Sequence, residues 1–168
     1  TLICSDIYGP EDEFDPHAGK IIPAALTEAR FAAENNTPQF VSRGNSKSTR
    51  DFIYVEDCAR AVILALENND IPDLINVGTG LETRIQDLIL QICQDFEYEG
   101  KMLWEEAQSS GVERRFLDTS RAKKFLNFEA EITLKEGLQK TKEWYMNYLP
   151  SPRLHNSNDL PPSMQALR

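Results

Sequence analysis

The chain has 168 residues, which suffices for one domain with a buried core, and its 40% hydrophobic and 27% charged content is ordinary for a globular protein. A formal net charge of −9 argues against nucleic acid or an anionic membrane surface as the main partner. No apolar run is long enough to span a membrane, and nothing resembles a signal peptide.

The cysteines and histidines of the chain are few and scattered. Cys4, Cys58 and Cys93 lie in separate apolar runs without metal-ligand spacing, so we expect buried free thiols in a reducing compartment. His17 and His155 are too far apart in the sequence to indicate a metal site. The cytoplasm is therefore the expected location, without a metal centre.

The first predicted elements are a strand, a helix and a second strand. Residues 1–7 form an apolar run typical of a buried strand. Apolar residues recur every three or four positions from 20 to 34, which predicts a helix with Pro23 in its first turn. Residues 39–43 are predicted to form another short strand, and the polar loop 44–49 follows.

Strands and helices continue to alternate after this loop, which predicts an α/β fold with parallel strand pairs. The later predicted elements are a strand at 50–55, a helix at 57–68, a strand at 74–77, a helix from 85, a strand at 101–104, and helices at 120–126 and from 134. The side chains expected to face inward on the helix at 57–68 are Cys58, Ala59, Val62, Ile63, Ala65 and Leu66. Capping boxes are predicted at 83–86 and 133–136.

Residues 150–168 contain four prolines and no hydrophobic period, so we expect a disordered or loosely packed tail. The nearest approach to a dinucleotide-binding loop is Val77-Gly78-Thr79-Gly80. It lacks the third glycine and the acidic residue about 20 positions later that such loops carry. A tight turn before a helix is the better interpretation.

Three arginines are candidates for binding an anion. Arg50 lies where the polar loop 44–49 enters an apolar run, and such a held guanidinium suits a phosphate or a carboxylate. Arg114 and Arg115 follow a second polar loop, and two loops converging on a diphosphate would give contacts of about 1.5–3 kcal/mol each. The alternative for Arg50 is a solvated ion pair with Asp51, and spacing alone does not show convergence.

Lys20 is a further candidate, because a cation at a helix start is unfavourable by up to about 1 kcal/mol unless a ligand or partner offsets it. The alternative is a lysine that extends into solvent. Tyr8 and Tyr54 are predicted to be core or rim aromatic residues, since neither has a lysine four positions later. Asp57 is predicted to be structural, near the start of its helix.

Five segments of the chain form a specific series. They are Asp6-Ile7-Tyr8-Gly9-Pro10 with Ile21-Ile22-Pro23-Ala24, Arg50-Asp51-Phe52-Ile53-Tyr54-Val55-Glu56-Asp57, Asn76-Val77-Gly78-Thr79-Gly80, Arg114-Arg115-Phe116-Leu117-Asp118-Thr119-Ser120-Arg121, and Leu134-Lys135-Glu136-Gly137-Leu138. In kind and order they resemble motifs of the extended short-chain dehydrogenases, the NAD-dependent epimerase/dehydratase family that remodels nucleotide sugars. The segment at 13–16 and the Ile-Pro-Ala helix are most similar to its GDP-L-fucose-synthase-like members.

The resemblance implies an α/β fold: the C-terminal, substrate-binding part of an extended Rossmann-type short-chain dehydrogenase, with short parallel strands and packed helices. Residues 1–149 would be the nucleotide-sugar-binding portion, comprising the end of the Rossmann sheet and a substrate lobe. The residues that the resemblance places at the substrate are Asp6, Lys20, Ile21, Ala25, Ser42, Arg43, Arg50 and Arg114.

The implied roles differ along the chain. Arg50 with Arg114, or with Arg115 as the less favoured choice, would hold the diphosphate. Ser42 and Arg43 would lie near the base, and Ile21 and Ala25 near the nucleotide. Asp6 would contact the substrate from a position where the family usually has asparagine.

Two further departures put the specific activity in question. Lys20 stands where GDP-L-fucose synthases carry a catalytic histidine, and Glu28 stands where they carry an arginine. A lysine matches an acid near neutral pH only if its pKa falls. The resemblance therefore implies an epimerase, dehydratase or reductase acting on a GDP- or UDP-sugar, without choosing among them.

The family's glycine-rich NAD(P) loop and its Tyr-x-x-x-Lys pair precede the first motif and are not in this sequence. We therefore expect a longer parent enzyme that uses NAD or NADP and forms a homodimer, whereas this chain alone would bind no cofactor and catalyse nothing. The alternatives are a non-catalytic module, left by truncation, that binds a nucleotide sugar or a protein, and a pseudo-enzyme remnant. An in-frame glycine-rich loop and Tyr-x-x-x-Lys encoded upstream would favour the enzyme.

Overall fold

The computed structural model describes residues 1–16, 20–43, 45–105 and 112–149; of Arg43 and Glu105 it describes the backbone only. In chain order the elements are β1 (Leu2–Cys4), β2 (Asp6–Tyr8), α1 (Ile21–Glu34), β3 (Gln39–Arg43), β4 (Thr49–Arg50), β5 (Phe52–Tyr54), α2 (Val55–Glu67), β6 (Ile75–Val77), β7 (Thr83–Arg84), α3 (Ile85–Asp95), β8 (Lys101–Glu105), β9 (Arg114–Arg115), α4 (Ser120–Leu126) and α5 (Leu134–Tyr148). The predicted α/β fold with short parallel strands is confirmed. The predicted tail at 150–168 lies outside the described residues, as do Gly44 and His17.

The described residues group into two compact units. The first unit comprises Thr1–Pro10, Thr49–Thr83 and Arg114–Glu143, and the second takes the described parts of Glu11–Ser48 and Arg84–Glu113 together with 144–149. Both units therefore combine segments that are distant in the sequence.

Parallel strand pairs organise the first unit. β1 pairs with β6, β2 pairs with β5, and β4 pairs with β9 in a three-stranded sheet of order β7-β4-β9. The single strand predicted at 1–7 is wrong, because Ser5 separates two strands that pair with different partners. Strand partners lie far away in the sequence, so an apolar run does not reveal where the pairing changes.

The first unit's core lies between β1, β6, α2 and α4. Its buried residues include Ile53, Ala61, Ile75, Val77, Ala122 and Phe128. The predicted inward face of α2 is largely wrong: Cys58 is buried and Ala65 half-buried, but Ala59 is exposed, and Val62, Ile63 and Leu66 are 40%, 55% and 78% exposed. Ala61, which was not predicted to face inward, is buried. Helical period identifies residues that share a face without showing that the face is covered.

The second unit is built on β3 and β8, which pair in parallel over five residues from Gln39↔Lys101 to Arg43↔Glu105. Helices α1 and α3 pack against each other beside this pair. The largest fully buried side chains here are Ile22, Leu26, Phe40, Leu88 and Ile92. The predicted boundaries of α1 and β3 are confirmed, because both have strong local patterns.

One of the two predicted capping boxes is present. The Thr133 backbone N donates to Glu136 Oε2 (3.0 Å), and the Glu136 backbone N donates to Thr133 Oγ1 (3.3 Å), at the start of α5. The box predicted at 83–86 is wrong: Arg84 occupies the N-cap of α3 without a side-chain cap hydrogen bond, because Thr83 belongs to β7. Within the described ranges, no helix has the length and apolar composition of a bilayer span.

Candidate functional site

Two short strands of the first unit bring three arginines together. β4 and β9 run parallel with Thr49 opposite Arg114 and Arg50 opposite Arg115. Successive side chains of a strand point to opposite faces, and register partners share a face. Arg50 and Arg115 therefore lie on one face of the ladder, and Thr49 and Arg114 lie on the other.

Glu82 occupies the Thr49–Arg114 face. Arg114 donates from Nε (2.9 and 3.0 Å) and from Nη2 (2.5 Å) to the Glu82 carboxylate, and Thr49 Oγ1 donates to Glu82 Oε2 (2.9 Å). These hydrogen bonds, from Arg114 first and Thr49 second, lower the pKa of Glu82. The Arg114 guanidinium also lies 4.5 Å from the ring centroid of Phe116. A carboxylate and a ring thus already contact this guanidinium.

The opposite face combines Arg50, Arg115 and Asp6. Arg115 Nη2 donates to Asp6 Oδ1 (2.5 Å) and Oδ2 (2.7 Å), and the two side chains are 59% and 29% exposed. Arg50 Nη1 donates to the backbone carbonyl of Thr49 (2.7 Å). These two guanidinium groups and one carboxylate carry a formal charge of +1 among the three of them. An anion that binds here competes with Asp6 for Arg115.

Asp51, the residue after Arg50, ties three parts of the first unit together. Its carboxylate accepts hydrogen bonds from Thr79 N (3.0 Å), Thr79 Oγ1 (2.6 Å) and Gly80 N (3.1 Å), and its carbonyl accepts one from Asp6 N (3.0 Å). Asp51 is only 2% exposed. The alternative of a solvated Arg50–Asp51 ion pair is therefore wrong, because the Asp51 carboxylate is buried and not solvated.

The glycines of the turn are required by this contact. A Cβ at Gly78 would lie 2.5 Å from Asp51 Oδ2, and Gly80 adopts a φ of +69°, which favours glycine. Because the amides of Thr79 and Gly80 already donate to a buried carboxylate, they are not free to hold a pyrophosphate. The turn therefore does not fit a dinucleotide-binding loop.

The remaining predicted substrate contacts belong to the second unit. Lys20 precedes α1 with its side chain 63% exposed, and its Nζ lies 3.6 Å from Asp12 Oδ1. Ile21 is half-buried, whereas Ala25 and Ser42 are buried and offer little surface to a ligand. The side chain of Arg43 is not among those that the structure describes. The predicted roles of these residues stay predictions.

The remaining polar core of the first unit is structural. Asp57 is buried and accepts hydrogen bonds from the backbone N of Glu131 (3.0 Å) and of Ile132 (2.8 Å). Tyr8 and Tyr54 are also buried, and burial raises the pKa of both phenols. In the part of the chain that is described, no three His, Cys, Asp or Glu side chains group closely enough to hold a metal ion.

The sequence and the fold both match known proteins. Residues 1–78 match the model of the NAD dependent epimerase/dehydratase family. The GDP-L-fucose synthase of Escherichia coli is 33% identical over 155 residues, which cover 87% of this chain and 48% of that protein. The chain belongs to the NAD-dependent epimerase/dehydratase family. It spans about half the length of the curated relatives it matches, between 43% and 48% for the first five.

Solved structures agree with this family assignment. The UDP-glucose 4-epimerase of Thermotoga maritima, determined with UDP-glucose, matches with a TM-score of 0.75 at 28% identity, over 89% of this chain and 46% of that one. A GDP-L-fucose synthetase from Naegleria fowleri matches in fold with a TM-score of 0.80 at 22% identity, over 90% of this chain and 47% of that one. The fold is thus that of the Rossmann-type members of the epimerase/dehydratase family.

The sequence analysis did not identify the roles of two acidic residues beside the β4–β9 pair, Glu82 and Asp51. Glu82 was not singled out, because a single acidic residue in a polar loop carries no pattern that points to Thr49 or Arg114. Asp51 was considered only as a neighbour of Arg50, although its position after an arginine and before the apolar Phe52 was a usable signal of burial. The contact between Asp6 and Arg115 spans 109 positions in the sequence and had no local signal.

Proposed function

We propose that this chain is the nucleotide-sugar-binding portion of an NAD(P)-dependent epimerase, dehydratase or reductase, and that Arg50 and Arg115 bind the diphosphate. The observation that carries the proposal is the register of β4 and β9, which sets these two arginines opposite each other. A diphosphate presents two adjacent negative charges, and two guanidinium groups from different segments match it in charge and in hydrogen-bond geometry.

The register favours Arg115 as the second diphosphate ligand, whereas the resemblance in sequence favoured Arg114. Arg114 shares its face with Thr49, and Glu82 already accepts three hydrogen bonds from its guanidinium. The Arg114–Glu82 and Arg115–Asp6 ion pairs are similarly exposed, and exposed ion pairs contribute only about 0–1 kcal/mol, so the preference rests on the face that Arg115 shares with Arg50. A diphosphate therefore displaces the Asp6 carboxylate from Arg115 at little cost, and the substrate contact inferred for Asp6 lies beside the phosphates.

The choice of substrate class draws on the relatives. GDP-L-fucose synthases and a UDP-glucose 4-epimerase are among the matches, which supports a GDP- or UDP-sugar as the ligand. Following the resemblance, Ser42 and Arg43 are proposed to lie near the base and Ile21 and Ala25 near the nucleotide, while Lys20 is proposed to hold a phosphate or a sugar hydroxyl. Residues 1–149 form the binding portion in this proposal, and the longer parent is a cytoplasmic homodimer that uses NAD or NADP.

A thermal-shift screen against GDP-, UDP-, CDP- and dTDP-sugars tests the proposal. A ligand that binds only the folded chain stabilises it by RT ln(1 + [L]/Kd), about 2.7 kcal/mol at one hundred times Kd. We expect a GDP- or UDP-sugar to raise the melting temperature by several degrees, and the free sugar without its nucleotide to leave it unchanged. A set of flat melting curves with all four classes contradicts the proposal.

The cofactor prediction is tested separately on the same protein. We expect no binding of NADH to this chain, because the turn at 78–80 uses its amides on Asp51 and because no other glycine-rich loop occurs in the sequence. The measurement is resonance energy transfer from the two tryptophans to NADH. A saturable signal that excess NAD removes would overturn the prediction.

A further inference from the structure

Two of the three cysteines lie in contact inside the first unit. Cys4 at the end of β1 and Cys58 in the first turns of α2 have their Sγ atoms 3.5 Å apart, although 54 positions separate them in the sequence. Both are free thiols, as is Cys93 in α3. No step of the proposed sugar binding uses these sulfur atoms.

We propose that Cys4 and Cys58 form an oxidisable pair, which a hydroperoxide converts to an intramolecular disulfide. A disulfide requires about 2.05 Å between sulfur atoms, so the two atoms must approach by roughly 1.5 Å. The two side chains leave β1 and α2, and both cysteines belong to or border the same apolar cluster. Small side-chain rotations, without a change of strand pairing, bring the atoms to bonding distance.

The different exposure of the two thiols indicates which of them reacts first with the peroxide. Cys4 is half-buried and is accessible to a small oxidant, whereas Cys58 is 7% exposed. Burial, and after it the hydrogen bond to Cys4, raises the pKa of Cys58 to about 12. The more accessible Cys4 sulfur therefore meets the peroxide first, and Cys58 follows as the resolving thiol.

The chemistry balances in two steps. The Cys4 thiolate attacks one peroxide oxygen, an S–O bond forms, the O–O bond breaks, and hydroxide takes up the released proton as water. The Cys58 thiolate then attacks the Cys4 sulfur, an S–S bond forms, the S–O bond breaks, and the departing hydroxide takes up the proton lost by Cys58 as a second water. Two thiols and one hydrogen peroxide thus give one disulfide and two waters.

The bond would fix β1 to α2 and close a loop that contains Asp6, Arg50 and Asp51. Closing a loop of this length restricts the unfolded chain, so the oxidised protein should melt roughly 5–10 °C above the reduced protein. Cys93 gives an internal comparison. It is less exposed than Cys58 (3% against 7%), and burial raises its pKa to about 12 as well, but the other two cysteines contact each other instead.

The test is thiol mapping of the 168-residue chain after hydrogen peroxide treatment. Remaining thiols are blocked with N-ethylmaleimide in denaturant, and the tryptic peptides are analysed by mass spectrometry. We expect a reducible cross-link between the peptides 1–20 and 51–60, together with a blocked Cys93 in the peptide 85–101. Dithiothreitol should restore three blockable thiols.

Variants give the matched controls. Cys93→Ser should retain the cross-link, while Cys4→Ser and Cys58→Ser should each abolish it together with the rise in melting temperature. Three blockable thiols in the treated wild-type protein, or a cross-link that contains Cys93, would overturn the proposal. The wild-type map decides this even if a serine variant folds poorly.

Discussion

Replacing Arg50 with alanine is expected to weaken the binding of the GDP- or UDP-sugar by about 2 kcal/mol, roughly thirtyfold in Kd. The reason is the loss of a charge-assisted contact to the diphosphate from a guanidinium that β4 holds opposite Arg115. The measurement is isothermal titration calorimetry with the sugar nucleotide that gives the largest thermal shift. An unchanged affinity would remove the diphosphate role from this residue.

The neighbouring arginines provide the controls for this experiment. Arg115→Ala should weaken binding by a similar factor, whereas Arg114→Ala should have a smaller effect because Glu82 holds that guanidinium on the opposite face. Arg121→Ala removes an exposed arginine of the same unit, which contacts the Leu74 carbonyl, and should change the affinity little. If Arg114→Ala costs more affinity than Arg115→Ala, the side-chain assignment drawn from the register is wrong.

Replacing Asp51 with alanine is expected to lower the free energy of unfolding by about 3–5 kcal/mol. The carboxylate is buried and accepts three hydrogen bonds, so its removal leaves the amides of Thr79 and Gly80 and the Thr79 hydroxyl without their acceptor. Such a loss is a large fraction of a typical domain's stability. Urea denaturation followed by circular dichroism measures it.

Two variants separate the hydrogen bonds from the loss of charge and bulk. Asp51→Asn keeps the size and one acceptor oxygen, so we expect a loss between that of Asp51→Ala and the wild type. Asp73→Ala removes an exposed aspartate of the same unit and should alter stability by less than about 0.5 kcal/mol. A loss below about 1 kcal/mol in Asp51→Ala would show that water replaces the carboxylate at the turn.

Local patterns in the sequence predicted the elements whose structure depends on local interactions. Helix α1 follows from a period of three to four residues with Pro23 in the first turn, and the capping box at Thr133 uses only neighbouring groups. The segment at Thr83 also fits the capping-box pattern, with Gln86 in place of a glutamate, yet Thr83 joins a strand beside β4 instead. A short motif is thus overridden where a strand partner competes for the same residue.

The three arginines on β4 and β9 show the limit of sequence-based prediction more directly. Spacing showed that Arg50, Arg114 and Arg115 each follow a polar loop, but it did not show which two share a face. That choice depends on a register between segments 65 positions apart, and a shift of one residue would exchange Arg114 for Arg115. The counter-charges Asp6 and Glu82 are likewise set by this register.

The sequence by itself determined the α/β class, the family, and the residue types available for an anion, because these depend on composition, periodicity and the order of motifs. The tertiary structure alone decided that β1 and β2 are separate strands, that one side of α2 is exposed, and that Asp51 is buried under the turn at 78–80. The physical reason is the same in each case. Strand pairing and burial depend on which distant segments meet, and local propensities do not encode that meeting.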